Sequence, residues 1–153
     1  MAKQSAGIIL YRLKNNILQV LLVHPGGPFW ASKDLAAWSI PKGEISENEN
    51  KIDAAIREFQ EETGLRPAGD FIELSPVKLK SGKQIFAWAI KGEFNIDNLV
   101  SNTFQLNWPP GTNKIINIPE VDKAGWFTID EAVLKLNSGQ VALVKELELK
   151  LKK

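Results

Sequence analysis

Glu58, Glu61 and Glu62 stand at i, i+3 and i+4 in the run Arg57-Glu58-Phe59-Gln60-Glu61-Glu62. On a helix that spacing sends all three carboxylates out from one side of about one turn. Like charges so close repel one another, and a divalent cation relieves the repulsion. Magnesium or manganese favours such hard oxygen donors and fills its remaining positions with water and phosphate oxygens. Arg57 adjoins the cluster, while Glu49, eight residues earlier, pairs with it only if a bend or an intervening contact brings the two together. Judged on spacing alone, a glutamate-rich turn is more often a solvated helix face than a metal site.

The element that must carry these acids is readable from periodicity. Between Ser46 and Thr63, Ile52, Ala55, Ile56 and Phe59 fall at i, i+3, i+4 and i+7, one apolar stripe of a helix. Ser46 and Glu49 have the spacing of a capping box, with Asn48 or Asn50 as alternative caps, and Gly64 stands where a left-handed residue ends a helix. Ahead of it, Ser5–Leu13 and Ile17–His24 are aliphatic runs separated by Lys14-Asn15-Asn16, which predicts a hairpin. A long loop, 25–37, leads to Trp38-Ser39-Ile40, a candidate short strand. Beyond the helix, 71–80 and 84–94 form a second expected hairpin, and 114–118 and 124–129 supply further strands. The stretch 95–113, with Trp108-Pro109-Pro110-Gly111, reads as a surface excursion. Ile129–Leu136 and Val141–Leu151 read as helices.

The identities around the glutamates are more specific than their spacing. From Gly43 to Leu65 the sequence GEISENENKIDAAIREFQEETGL has Gly, five residues, Glu49, seven residues, then Arg57-Glu58-apolar-any-Glu61-Glu62-any-Gly64-apolar. This resembles a complete Nudix box of the MutT-like hydrolases. The N-terminal hairpin, the Trp-Ser-Ile-Pro-Lys lead-in, the central hairpin and the C-terminal helix also fall where a Nudix domain has them. The resemblance implies an α/β fold, an α/β/α sandwich with a mixed central sheet, in one domain over residues 1–153. It implies a pyrophosphohydrolase that opens a diphosphate linkage in a nucleoside diphosphate derivative by magnesium-assisted attack of water on phosphorus, with manganese as a substitute ion. On that pattern Glu58, Glu61 and Glu62 bind metal and Gly43 adds its backbone carbonyl. Arg57 orients a carboxylate of the cluster. The general base is Glu61 first, with Glu120, in the loop after Pro119, as the outside candidate; a solvated loop acid is an equally weighted reading of Glu120.

Substrate choice rests on fewer residues. Lys42 precedes the box glycine in Trp38-Ser39-Ile40-Pro41-Lys42-Gly43, a wording similar to dinucleoside polyphosphate hydrolases and some nucleoside triphosphate pyrophosphatases. It is the candidate phosphate contact. Lys33, Lys80 and Lys83 are weaker candidates for a positive edge. Phe29 and Trp30 are candidates for a platform under a base, whereas Trp88 and Trp126 read as packing residues. His24, the one histidine, has no second histidine to chelate with and reads as structural. Gly26-Gly27 lacks the spacing of a P-loop. The expected substrate is a dinucleoside polyphosphate or nucleoside triphosphate. ADP-ribose or another nucleoside diphosphate sugar, and a nucleotide-sensing module without hydrolysis, are the alternatives.

Composition narrows the remaining classes. The chain has 153 residues, 19 Lys plus Arg against 18 Asp plus Glu, and no Cys. That excludes a cysteine nucleophile, a cysteine-ligated metal and a disulfide framework, and fits a reducing compartment, the cytoplasm by default. A net charge of +1 gives no global pull on polyanions, so the expected partner is a small nucleotide rather than a stably bound nucleic acid. No leader is visible in 1–5, and no run reaches the roughly 18 apolar residues of a membrane span. Monomer and homodimer are both open.

Overall fold

The aliphatic residues at 5–11 and 17–24 are too continuous for strands with one wet face, and both faces of the sheet they build are covered. The structure, a computed structural model, describes residues 3–152. Met1 and Ala2, part of the stretch read for a leader, and Lys153 lie outside them. Strands β1 (Gln4–Lys14) and β2 (Ile17–Pro25) form the expected hairpin, with Asn15 and Asn16 both at positive φ in its turn. β3 (Lys42–Glu44) follows the long loop, and helix α1 is Lys51–Thr63. Next come β4 (Ile72–Glu73), β5 (Val77–Lys78) and β6 (Gln84–Lys91), then β7 (Thr103–Asn107), β8 (Ile115–Pro119) and β9 (Val121–Thr128). Helices α2 (Ile129–Lys135) and α3 (Val141–Leu151) close the chain.

The main sheet runs β4-β6-β1-β2-β9, with β5 also on β6 and β3 on β1. It is mixed, because β6 lies parallel to β1 and the other pairs are antiparallel. Alternate residues of β1 point to opposite faces. Ile8 and Leu10 pack with Ala54, Ala55 and Phe59 of α1, while Ile9 and Tyr11 pack with Leu143, Val144 and Leu147 of α3 and Ala132 of α2. The layers are therefore helix, sheet, helices. No helix among the described residues is long and apolar enough to cross a membrane.

One irregularity positions the site. β1 and β2 pair only near their shared turn, from Tyr11↔Val20 to Lys14↔Ile17, and the first half of β1 pairs with β3 instead. Residues 39–44 fill the wedge between the two strands. Val23 and Ser39 exchange backbone hydrogen bonds of 2.9 Å, and Ile8 N–H donates to Pro41 carbonyl at 3.1 Å. Gly7 is required there, since a Cβ would lie 2.7 Å from both Lys42 Cβ and Pro41 O. The buried Gln140, just before α3, accepts from Ile40 N–H at 2.9 Å and donates to Ser39 Oγ at 3.0 Å, so the wedge is tied to the opposite layer.

Several expectations need correction. Trp38-Ser39-Ile40 makes only isolated bridges, to Val23 and Leu136, and the strand lies four residues on, where β1 is free to pair. Of the caps the sequence offers for the helix, Asn50 is the one used: it accepts from Ile52 N–H at 3.2 Å, and the helix starts at Lys51. The 71–80 strand is broken at Leu74-Ser75-Pro76, because Pro76 has no N–H and Ser75 donates its own to Glu146 of α3 at 2.8 Å. The 95–113 excursion contains β7, which forms a two-stranded ribbon with β8. Ala54 and Thr63 are also more deeply buried than Ile52 and Ile56, which turns the inner face of α1 toward Glu58 and Glu62.

Phe59 is fully buried between α1 and the sheet. Replacing it with Ala should lower stability by about 4 kcal/mol, read as a reduced urea midpoint; a loss under about 1 kcal/mol would show that α1 is not anchored through this residue.

Candidate active site

Four charged residues in the second half of α1 fall into two adjacent i, i+4 rows, Arg57–Glu61 and Glu58–Glu62. The first row neutralises itself. Arg57 Nη1 donates to Glu61 Oε2 at 2.6 Å and to Glu58 Oε1 at 2.8 Å. The rest of the guanidinium grips Glu49 bidentately, Nε to Oε2 at 2.8 Å and Nη2 to Oε1 at 2.9 Å, and Nη2 also donates to Glu44 carbonyl at 3.1 Å. The bend that this pairing needs is the loop before Asn50, where Glu49 Oε1 also accepts from Ser46 N–H at 3.0 Å. Arg57 and this backbone donor hold the Glu49 carboxyl down at about 2.

The second row faces inward. Glu58 presses against β3, and a Cβ on Gly43 would collide with its carboxylate, so only glycine lets strand and acid approach this closely. Glu62 Oε1 accepts from Lys42 N–H at 3.3 Å. Glu120 enters from the junction of β8 and β9. Its peptide is fastened on both sides, N–H to Asn102 carbonyl at 2.8 Å and carbonyl to Gly26 N–H at 3.1 Å. A Cβ on Gly26 would strike Pro119 carbonyl, so this turn too needs glycine as neighbour.

Carboxylate oxygens of Glu58, Glu62 and Glu120 consequently lie within 4.8 Å of one another. Burial raises the Glu58 carboxyl, with Arg57 opposing, and it raises Glu120, with the Glu58 and Glu61 charges adding. Burial pushes Glu62 up to about 8, against the pull of Lys42 and with the Glu58 and Glu120 charges adding. Burial likewise lowers the Lys42 ammonium, with Lys83 adding to the shift. Three hard oxygen donors that are costly to ionise together match the requirements of a divalent cation. Two of them, Glu62 and Glu120, line a cleft of about 140 Å3 together with Val23, Pro25, Ser39, Lys42 and Val121.

The structure separates some of the residues singled out from sequence. Glu61 is not among the three converging acids, because Arg57 holds one of its oxygens and Asn102 Nδ2 the other, at 3.3 Å. Phe29 and Trp30 do not line the cleft. Phe29 is exposed and meets Trp108 edge to face, 5.0 Å between centroids, and Lys33 Nζ sits 5.2 Å over the Trp30 ring. Lys80 lies in a different depression, beside Asn137 and Gly139. His24 is fully buried, with Nδ1 2.9 Å from Asp122 and Nε2 2.6 Å from Lys33 carbonyl, which pins the long loop to β9. Since a carbonyl only accepts, Nε2–H is the donor there. Trp88 and Trp126 pack against the α1-side core.

Sequence reasoning missed Asn102, Gly26 and Gln140. Their work is done through pairings as distant as Ile40 with Gln140, and no local pattern announces them.

Three similarities to known proteins accompany this geometry. Rat bis(5'-nucleosyl)-tetraphosphatase (asymmetrical), from Rattus norvegicus, is 30% identical over 100 residues, 58% of this chain and 64% of that protein. Among solved structures, a C. elegans Ap4A hydrolase in a binary complex superposes with a TM-score of 0.66 at 19% identity, covering 96% of this chain and 97% of that one. The NUDIX domain of Shewanella oneidensis NrtR, complexed with ADP ribose, gives 0.68 at 18% identity, covering 99% and 90%. At those identities the two structures speak for the fold alone.

The raised Glu62 carboxyl has a consequence for stability. A folded-state value near 8 against an ordinary 4.5 means that the folded protein holds this proton more tightly than the unfolded chain, so metal-free stability falls as pH rises from about 4.5 to about 8. With divalent ions chelated, Glu62→Gln should gain stability relative to wild type between pH 5 and pH 8, measured by urea denaturation. An offset between the two proteins that is the same at both pH values would contradict the burial of this charge.

The two rows of α1 lie within the Gly43–Leu65 pattern, and the model of the NUDIX domain matches residues 1–147, nearly the whole described chain. The chain belongs to the NUDIX domain family.

Proposed function

We propose that this protein is a magnesium-dependent pyrophosphohydrolase that opens a diphosphate linkage in a nucleoside diphosphate derivative, with dinucleoside polyphosphates first and nucleoside triphosphates second. The observation that carries the reading is the convergence of Glu58, Glu62 and Glu120 within 4.8 Å beside Lys42. Residues 1–153 act as one domain in this reading, and the similarity to the rat tetraphosphatase favours the dinucleoside class.

Glu58, Glu62 and Glu120 would hold the cation, with the Gly43 carbonyl as an additional oxygen. A divalent ion supplies charge neutralisation to the phosphate oxygens and acidity to the attacking water. The Lys42 ammonium supplies a further positive charge to a phosphate oxygen in the cleft. Water attacks phosphorus, its proton passes to a carboxylate, and the bond to the bridging oxygen breaks to release the second phosphorylated product. Glu61 is our choice of general base: it stands beside the metal-holding acids rather than among them, and Arg57 keeps it oriented. Glu120, the outside candidate for the base, fits the cation-holding group better because its carboxyl converges with Glu58 and Glu62. Phe29 and Trp30 are exposed on the loop that follows Pro25, outside the cleft lining, and would meet a base only where it extends beyond the cleft. Every acid of the box is present, which argues against a sensor that binds without hydrolysis.

Diadenosine tetraphosphate, nucleoside triphosphates and ADP-ribose, each incubated with the protein and magnesium and resolved by chromatography, give different product sets. Release of ATP from the first is the expected result, and AMP with ribose phosphate from the last would move the assignment to nucleoside diphosphate sugars. Glu62→Gln should lower kcat by about a hundredfold or more while remaining folded by circular dichroism. A fully active variant would refute the metal assignment.

A further inference from the structure

The segment 100–102 runs along the C-terminal turn of α1 and uses carbonyls that a helix end leaves unpaired. Val100 N–H donates to Thr63 carbonyl at 3.1 Å, and Asn102 N–H to Glu61 carbonyl at 2.9 Å. On its other side the same segment holds the β8–β9 junction. Asn102 carbonyl accepts from Glu120 N–H at 2.8 Å, and Ser101 Oγ accepts from Val121 N–H at 3.0 Å. One residue, Asn102, thus touches both acids considered for the base, Glu61 through its side chain and its N–H, and Glu120 through its carbonyl.

We propose that Asn102 is a positioning residue for the hydrolysis, acting through Glu61. Its side-chain amide and Arg57 occupy the two oxygens of that carboxylate from different directions, which fixes the plane of the carboxylate and keeps it out of the Glu58–Glu62–Glu120 group. Arg57 alone fixes one oxygen and leaves rotation about the last side-chain bond, where broad torsional wells resist little. A neutral amide achieves this without adding charge to a site whose cation affinity depends on uncompensated carboxylates. The inference rests on the reading of Glu61 as base.

Asn102→Ala removes the side-chain donor and keeps the backbone bonds. In steady-state kinetics with diadenosine tetraphosphate at saturating magnesium, kcat should fall about tenfold, with KM changed less than about twofold and the thermal midpoint preserved. Asn102→Asp, which sets a carboxylate against Glu61, should fall further, and Asn102→Gln should recover part of the loss. In a Glu61→Gln background Asn102→Ala should have no additional effect, because the residue acts through Glu61. A wild-type kcat in Asn102→Ala, a loss confined to KM, or an undiminished loss in the Glu61→Gln background would overturn the inference. Glu58→Gln assayed alongside separates the two levels: loss there with none in Asn102→Ala refutes the role of Asn102 alone, whereas full activity in both refutes the carboxylate reading beneath it.

Discussion

A single guanidinium, that of Arg57, bonds to Glu49, Glu58 and Glu61 together and also to the carbonyl of Glu44. Without it the site would set four helix and loop acids beside Glu120 with little to offset their mutual repulsion. Arg57 is suited to this because its donors form a rigid planar fork and its charge does not titrate away, properties that a lysine lacks. Its choice of partners also divides the acids. Glu49 and Glu61 are paired with it, whereas Glu62 and Glu120 make no bond to it and burial raises their carboxyls. Converging hard oxygen donors in that condition match what a divalent cation requires.

The division works only because the sheet opens beneath it. β1 and β2 separate after four paired positions, and the chain at 39–44 enters the gap, which brings Gly43 against Glu58 and Lys42 against Glu62. The far edge of the cleft is set by the register shift between His24 and Pro25, where β9 carries one residue more than β2. That extra residue lets Asp122 reach His24 while Glu120 turns back toward the helix. Sheet irregularity and helix row are thus two halves of one arrangement, the first tied to the opposite layer by Gln140 on Ile40 and the second tied to Glu120 by Asn102.

The features legible in the sequence were those with a short period. The stripe of α1, the β1–β2 turn at Asn15-Asn16 and the spacing of the box acids are local, and the structure has them near the positions expected. The split of the acids into two rows is also local, since Arg57 and Glu61 share the i, i+4 relation that predicts their pairing. Long-range features were not legible. The parallel pairing of β1 with β6 joins residues 80 apart, such as Gln4 with Gln84, and Glu120 is aimed by the bulge at His24 and by a ribbon whose first strand was overlooked. Phe104 and Leu106 do alternate in β7, yet the Asn, Pro and Gly around them outweighed so short a signal. The Ser46–Glu49 spacing does form half of a box, Ser46 N–H donating to Glu49 Oε1, but it closes a turn ahead of the helix, which Asn50 caps.

The central claim is that Glu58, Glu62 and Glu120 form one cation site while Glu61 is held aside by Arg57 and Asn102. Anomalous diffraction from crystals soaked in manganese tests it most directly. The account predicts a peak at bonding distance, about 2.1 to 2.2 Å by analogy with magnesium–oxygen bonds, from oxygens of Glu58, Glu62 and Glu120. A manganese ion held by Glu61 with Glu120 outside bonding distance, or no ion at these acids, would contradict it.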